Sequence, residues 1–191
     1  MPTDPLRLRA LAQTAIEEAT QRLNDGGSRQ AWEKEMRAIL ARAHTAAWLA
    51  GTAERLGVPL DSPLLSQARL SRAERADITA AVEEQLKYLR GFVDDMDSLS
   101  EAQIAARANL YAGATRSTYS KAANADWSLP FFPGEGTECK TNCGCSWLID
   151  VIDEDAGDAD ATWLRSFDDS CKTCVDREGG NPYQIREGEL V

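Results

Sequence analysis

Histidine is nearly absent from this chain, and its scarcity excludes several kinds of chemistry. The 191 residues include a single histidine, His44. The chain therefore has no recognisable Ser-His-Asp set and no His-containing hydrolytic zinc site. It also has no glycine-rich phosphate-binding loop. We expect a non-enzymatic protein, and we expect His44 to be a surface or boundary residue of a helix without a functional role.

Long apolar segments are also missing. No apolar run approaches the roughly 20 residues that a membrane-spanning helix requires, so we expect no membrane association. The first residues, Met1-Pro-Thr-Asp-Pro-Leu6, lead directly into a charged helical segment. They do not have the apolar core of a secretory signal peptide, which disfavours the oxidising compartments where disulfides accumulate.

A surplus of basic charge is absent too, and the acidic charge is concentrated at one end. Residues 1–124 contain 16 basic and 16 acidic side chains, whereas residues 125–191 contain 5 basic and 15 acidic ones. The second segment thus carries the whole net charge of −10. Because phosphate binding needs clustered Lys and Arg, direct DNA binding by this segment is not expected. An acidic surface of this kind is either simply solvated or suited to a basic protein partner.

Cysteine is missing from the first 138 residues and then occurs five times within 36 residues. The five are Cys139, Cys143, Cys145, Cys171 and Cys174. The Cys-x2-Cys spacing of the last two is typical of a zinc ligand pair. The first group offers three cysteines for two ligand positions, and the spacing between Cys143 and Cys145 is tight for a chelating turn. We therefore predict a structural Zn²⁺ held by four of the five, with the remaining one a buried thiol.

Two other interpretations of the cysteines stay open at the level of sequence. They could form two disulfides with one cysteine left over, or they could be unrelated buried thiols. The close clustering favours the zinc interpretation. A site made only of thiolates has no open position for water or substrate, so we expect it to be structural rather than catalytic.

A β-hairpin is predicted between the two cysteine groups. Residues 145–153 are rich in β-branched and aromatic types, and Trp147, Ile149 and Val151 alternate onto one face. An acidic turn is predicted over residues 153–160 and a second strand over residues 162–167. Because a hairpin returns its ends to one place, it would bring the two cysteine groups together, as in a zinc ribbon.

The first two thirds of the chain have the periodicity and capping residues of α-helices. A first helix is predicted from Pro5 to Asn24 and a second, capped by Ser28, to about Leu56. Ser62-Pro63 can start a short helical turn. Ser-x2-Glu capping boxes at Ser71 and Ser98 predict two further helices, the last reaching about Ala123.

These elements predict an α+β fold. It comprises a mainly α-helical domain over residues 1–124 and an acidic, Cys-rich, zinc-ribbon-like β-hairpin module over residues 125–191. Beyond Cys174, a turn at residues 179–183 and a polar tail or edge strand at residues 184–191 complete the chain.

The motifs of the second half occur in an order that carries a family resemblance. They are Arg107-x3-Tyr111-x-Gly113-x2-Arg116, Leu129-Pro-x2-Pro-Gly134, Cys139-x3-Cys143-x-Cys145-x-Trp147, Cys171-x2-Cys174 and Asn181-Pro-Tyr183. Over about residues 100–185 this succession resembles the phage Mu F-like minor head proteins, also called phage head-morphogenesis proteins. Relatives often have a histidine before the last cysteine pair. This chain has Ser170 there, which makes an all-cysteine site the expectation.

The resemblance implies a virion component at the head or portal vertex that is present in the host cytoplasm during assembly. It would bind portal or capsid proteins, or its own copies, in head assembly or DNA packaging. The alternative class is an intracellular zinc-ribbon adaptor or regulatory protein that binds a basic partner or nucleic acid. The sequence distinguishes neither the partner nor the copy number.

Overall fold

Helices precede a small antiparallel sheet in the computed structural model, which describes residues 5–95, 98, 100, 102–103, 106, 113–140, 143–166 and 170–191. The α+β fold class is confirmed. The helices are α1 (Pro5–Asn24), α2 (Arg29–Arg55), α3 (Pro63–Gln67), α4 (Arg72–Asp95), α5 (Thr115–Ala123) and α6 (Lys172–Glu178). The strands are β1 (Ser146–Asp153), β2 (Asp158–Leu164), β3 (Tyr183–Arg186) and β4 (Glu189–Leu190).

The helix boundaries follow the capping residues in the sequence. Ser28 accepts a hydrogen bond from the Ala31 N–H at the start of α2. At the start of α4 the Ser71 N–H donates to Glu74 and the Glu74 N–H donates to the Ser71 hydroxyl, at 2.7 and 3.1 Å. These bonds satisfy backbone donors that have no partner within the helix. The predicted capping box at Ser71 is therefore confirmed.

The second predicted capping box is displaced. The Gln103 N–H lies 3.4 Å from the Ser100 hydroxyl, and the Ser100 N–H donates to the Gln103 side chain at 2.9 Å. Ser98 instead donates its hydroxyl to the Asp95 carbonyl. Both serines are followed three residues later by Glu or Gln, so the pattern alone does not choose between them. Glu101, the partner predicted for Ser98, lies outside the described residues.

The prediction for His44 was wrong, because this residue is buried within the helical part. Only 1% of its surface is exposed, and its Nδ1 lies 2.6 Å from the Thr118 hydroxyl of α5. The apolar core of the helical part is formed by side chains of α1, α2 and α4, among them Ile16, Met36, Leu40, Leu86 and Leu89. The cause is the close packing of α5 on α2, which the periodicity of α2 alone does not reveal.

The hairpin is present, but the sheet is larger than predicted. It has four antiparallel strands in the order β1-β2-β3-β4. β2 begins at Asp158, inside the predicted acidic turn, and pairs with β1 from Asp153↔Asp158 to Ser146↔Leu164. The last residues form a further hairpin, β3-β4, that extends the sheet along β2. Helix α6, which follows Cys171, was not predicted.

Buried apolar side chains form two separate clusters among the described residues. One belongs to the helices and includes residues from Ile16 to Ala122. The other consists of Cys143, Cys145, Trp163 and Cys174 with partly buried aromatic and cysteine side chains packed on them. The division of the chain at residues 124/125 stays a prediction. In the part of the chain that the structure describes, no helix is long and apolar enough to cross a membrane.

Candidate metal centre

The loop before β1 places the first cysteines. The Cys143 N–H donates to the Lys140 carbonyl at 3.1 Å, and the Lys140 N–H donates to the Thr137 hydroxyl at 3.1 Å. This fold brings the Lys140 carbonyl against Gly134, whose φ is +81°. A Cβ at position 134 would lie 2.6 Å from that carbonyl oxygen. Gly134 is therefore required both by its backbone conformation and by the close approach.

Helix α6 places the second pair. Cys171 is the N-cap residue of α6, and the N–H groups of Cys174 and Val175 both donate to its carbonyl, at 2.9 and 3.1 Å. The helical turn thereby directs Cys174 inward, where it is fully buried. The Lys172 N–H donates to the Glu138 carboxylate at 3.2 Å. This bond fastens the start of α6 to the loop that carries Cys139.

The sulfur atoms of three cysteines meet at one point. The Sγ atoms of Cys139, Cys143 and Cys174 all lie within 4.8 Å of one another and could hold a metal ion. Cys174 Sγ is 3.8 Å from both Cys139 Sγ and Cys143 Sγ. Cys171 Sγ lies beside this group, 3.5 Å from Cys139 Sγ. All five cysteines are free, so the structure contains no disulfide among them.

The thiols influence one another's ionisation. Burial raises the pKa of Cys174, and the Cys145 and Cys171 thiols raise it further. Burial also raises the pKa of Cys139, against a contact with Thr137 that lowers it. At Cys171 burial acts in the same direction, but hydrogen bonds from the backbone of Cys174 and Cys139 outweigh it and lower the pKa to about 7. Closely placed thiols of this kind need a cation nearby to ionise together.

An aromatic wall covers one side of the cysteines. Phe131, from the proline-containing link, contacts Trp147, Trp163 and Tyr183 at ring-centroid distances of 5.1, 5.0 and 5.6 Å. Trp163 is fully buried and belongs to the same cluster as Cys143, Cys145 and Cys174. Phe131 therefore packs against the aromatic side chains of both strands of the hairpin. Phe131, Trp147 and Tyr183 are partly buried and pack against the same cluster.

Polar side chains that the sequence did not point to hold the wall in place. The Arg177 guanidinium lies 3.8 Å from the centre of the Phe131 ring and donates to the Glu135 carbonyl. Asn181 bonds both to the N–H and to the carbonyl of Trp163, at 2.7 and 2.9 Å. The turn motif Asn181-Pro-Tyr183 was visible in the sequence. The pairing of Asn181 with β2 depends on the third strand, a region for which the sequence left a polar tail and an edge strand as alternatives.

The five predicted site residues thus occupy three kinds of position. Cys139, Cys143 and Cys174 form the group of mutually close sulfurs, and Cys171 adjoins it through Cys139. Cys145 is buried next to the group, with 2% of its surface exposed, and its thiol acts on the pKa of Cys174. The geometry brings both predicted cysteine groups together.

Comparison of the chain with protein-family models, with curated proteins and with solved structures found no match. The motifs of the Mu F-like resemblance can be located in the fold only in part. Arg107 and Tyr111 lie outside the described residues, whereas Arg116 is an exposed residue of α5. The cysteine motifs and Asn181-Pro-Tyr183 meet around the candidate metal centre.

Proposed function

We propose that residues Cys139, Cys143, Cys171 and Cys174 hold one structural Zn²⁺, and that Cys145 is a buried fifth thiol. The observation that carries this proposal is the spacing of the sulfurs. Two sulfurs bound to zinc at about 2.3 Å with tetrahedral angles lie about 3.8 Å apart. The Cys139–Cys174 and Cys143–Cys174 distances are both 3.8 Å.

The chemistry of the donor set also favours zinc. Soft thiolate ligands in a tetrahedral arrangement select zinc or iron over calcium and magnesium. Four thiolates leave no position for a water molecule or a substrate, so the metal would stabilise the fold and take no part in a reaction. The role of the cysteines is then to fasten the loop before β1 to the start of α6.

The metal content of the purified full-length chain tests this. We expect about one zinc per chain by elemental analysis, with little iron, after dialysis against a weak chelator. Replacement by Co²⁺ should give the intense visible absorption of a tetrahedral thiolate site. Cys174→Ser should abolish both signals, whereas Ser170→Ala, next to the site but without a thiol, should retain them. A purified chain without metal that also fails to bind added zinc would contradict the proposal.

We further propose that the chain is a non-enzymatic assembly protein of a tailed-phage head, at or near the portal vertex. The support is the order of motifs shared with Mu F-like minor head proteins, together with the cysteine group that those motifs surround. In this function the helical part would contact portal or capsid proteins or further copies of the chain. The metal-containing part would hold the C-terminal residues in one fixed shape.

Particle fractionation tests the assembly role independently of the metal. A tagged copy of the chain, produced in phage-infected or induced cells, is followed through a density gradient that separates empty heads, filled heads and soluble protein. Co-sedimentation with heads at a constant number of copies per particle is expected. Absence from heads at every stage of assembly would refute this role. Salt-sensitive binding of the soluble protein to DNA would then favour the adaptor alternative.

A further inference from the structure

Strand β1 forms one edge of the sheet. Among the described residues, the strand order β1-β2-β3-β4 gives β1 a neighbour on one side only. With Ser146–Asp153 it is the longest strand, whereas the opposite edge, β4, consists of Glu189–Leu190. The outward N–H and C=O groups of an edge strand are free to pair with another extended chain. The length of β1 makes it the better template of the two edges.

The end of β1 is exposed on both faces of the sheet. Asp150, Val151, Ile152 and Asp153 are four consecutive exposed residues, whereas β2 alternates between buried and partly buried positions. Leu148 is 55% exposed and lies on the same face as Asp150. Ile152 is 58% exposed and lies where the register with β2 shifts, between Val151 and Asp153. Folded proteins usually protect a long apolar edge strand with lysine, proline or a covering segment. β1 contains neither lysine nor proline. Its protection consists of two aspartates and of a register shift near its end, between Val151 and Asp153, which leaves the edge from Ser146 to Val151 regular.

The charge next to this edge is uniformly acidic. Asp150, Asp153, Glu154 and Asp155 follow one another along the strand and its turn, and none of them has an ion-pair partner within the described part of the chain. Asp160, which is opposite Asp150 on β2, is neutralised by Arg186 at 3.0 Å. The edge therefore presents apolar side chains together with unpaired negative charge. A binding partner must supply positive charge.

We propose that β1 is a docking edge for an extended, basic segment of another protein, which adds to the sheet as an antiparallel or parallel fifth strand. The backbone groups of β1 would provide the hydrogen bonds. On the face of Leu148 and Asp150, the segment would carry an apolar side chain and a basic one two residues apart, with a further apolar side chain near Ile152. A second copy of this chain is a poorer occupant, because pairing β1 with itself would bring the same unpaired carboxylates together. The proposal rests on the sheet and its charges, not on the virion role.

A synthetic peptide supplies the probe. Its sequence is Lys-Thr-Val-Thr-Arg-Thr-Val-Thr-Lys. Because this sequence is the same in both directions, the peptide presents the same side chains to β1 whether it binds parallel or antiparallel. A second peptide has glutamate at every basic position. We expect the full-length, zinc-supplemented chain to bind the basic peptide and not the acidic one, as measured by fluorescence polarisation. Hydrogen exchange should show slower exchange of β1 amides in the complex.

Two pairs of variants test whether the basic peptide binds at β1. Asp150→Lys should lower the affinity for the basic peptide about tenfold, because an opposite-charge pair becomes a like-charge pair. Glu189→Lys makes the same change on the opposite edge and should leave affinity unchanged. Ile152→Thr should weaken binding, whereas Leu64→Thr, at an equally exposed position on α3, should not. Circular dichroism and zinc content establish that each variant is folded.

Three results would overturn the proposal. The first is absence of basic-peptide binding by the folded, zinc-containing chain. The second is binding that is lost in Glu189→Lys or that leaves the exchange of β1 amides unchanged. The third is a dimer in solution whose β1 amides are already protected, which would make a second copy the occupant. Because zinc content is measured separately, a failure of the metal proposal remains distinguishable from a failure of the docking proposal.

Discussion

At the scale of single residues, Cys143 and Cys145 differ in role: we expect Cys143 to be a metal ligand and Cys145 to be a buried thiol. Both are buried beside Cys174, yet the structure places only Cys143 in the group of mutually close sulfurs. We predict that Cys143→Ala abolishes stoichiometric zinc binding and that Cys145→Ala retains about one zinc per chain. Elemental analysis of both variants after dialysis against chelator provides the measurement. Loss of zinc in Cys145→Ala with retention in Cys143→Ala would exchange their roles.

His44 is the residue that should make the helical part sensitive to acid. Burial lowers its pKa from 6.5 to about 4, and the Gln85 side chain raises it only partly. The unfolded chain therefore takes up a proton at His44 at a higher pH than the folded chain does. The contribution of the neutral His44 imidazole to the free energy of unfolding is fully present above pH 6.5 and is lost as the pH falls toward 4. Over this range the loss should reach about 3 kcal/mol, at about 1.4 kcal/mol per pKa unit.

Denaturant unfolding followed by helical circular dichroism measures this effect. Chelator is present at every pH, so that acid release of a metal does not contribute. His44→Gln keeps a polar side chain that does not titrate, and its stability should vary less between pH 6.5 and 4 than that of the parent chain. An unchanged pH dependence in this variant would assign the acid sensitivity to the carboxylates instead.

At the scale of elements, the contact between α2 and α5 depends on one glycine. A Cβ at Gly51 would lie 2.9 Å from both the Ala122 Cβ and the Ala123 nitrogen, and closer still to the Tyr119 carbonyl. Backbone atoms of a packed helix cannot move aside easily. We predict that Gly51→Ala destabilises the helical part by about 1–3 kcal/mol. Chemical denaturation provides the measurement.

Gly91 offers a matched control within α4. A Cβ there meets nothing within 4 Å, so Gly91→Ala gains helix propensity without a clash. It should raise the stability by up to about 1 kcal/mol. If Gly51→Ala and Gly91→Ala changed the stability equally, helix propensity and not the close packing of α5 would determine the stability change at Gly51.

The elements that could be predicted from the sequence are those whose signals are local. Ser28, Ser71 and Pro63 each mark a helix start by hydrogen bonding or backbone geometry that involves only the next few residues. The pairing of strand β3 and the burial of His44 depend on partners far along the chain, Ala159–Ala161 and Thr118 respectively. Local pattern contains no information about such partners. The candidate metal centre was predictable as a set of five cysteines, but the relation of Cys145 to the sulfur group required the fold.

At the scale of the whole molecule, exposed polar contacts connect the cysteine-containing part to the helices within the described ranges. Arg55 pairs with Asp126 at 2.9 Å, and two lysines make further contacts. The Lys140 ammonium lies 3.2 Å from the Tyr88 hydroxyl, and Lys121 pairs with Glu135 at 3.5 Å. Both pairs are exposed, and exposed pairs of this kind each contribute at most about 1 kcal/mol. The buried cluster around Trp163 is small. The free energy of metal binding is therefore expected to be the main stabilisation of the sheet.

Removal of the metal should consequently unfold one part of the chain and spare the other. We predict that strong chelator, or Cys174→Ser, makes the amides of β1 to β4 exchange rapidly, while the amides of α2 and α4 keep their protection. Helical circular dichroism should change little, because the long helices have their own core. Hydrogen exchange with mass spectrometry measures both parts in one sample, and Cys145→Ala serves as the variant that loses a buried thiol but keeps the metal. Rapid exchange throughout α2 and α4 after chelation would show that the chain unfolds as one unit, and the boundary at residues 124/125 would then have no energetic meaning.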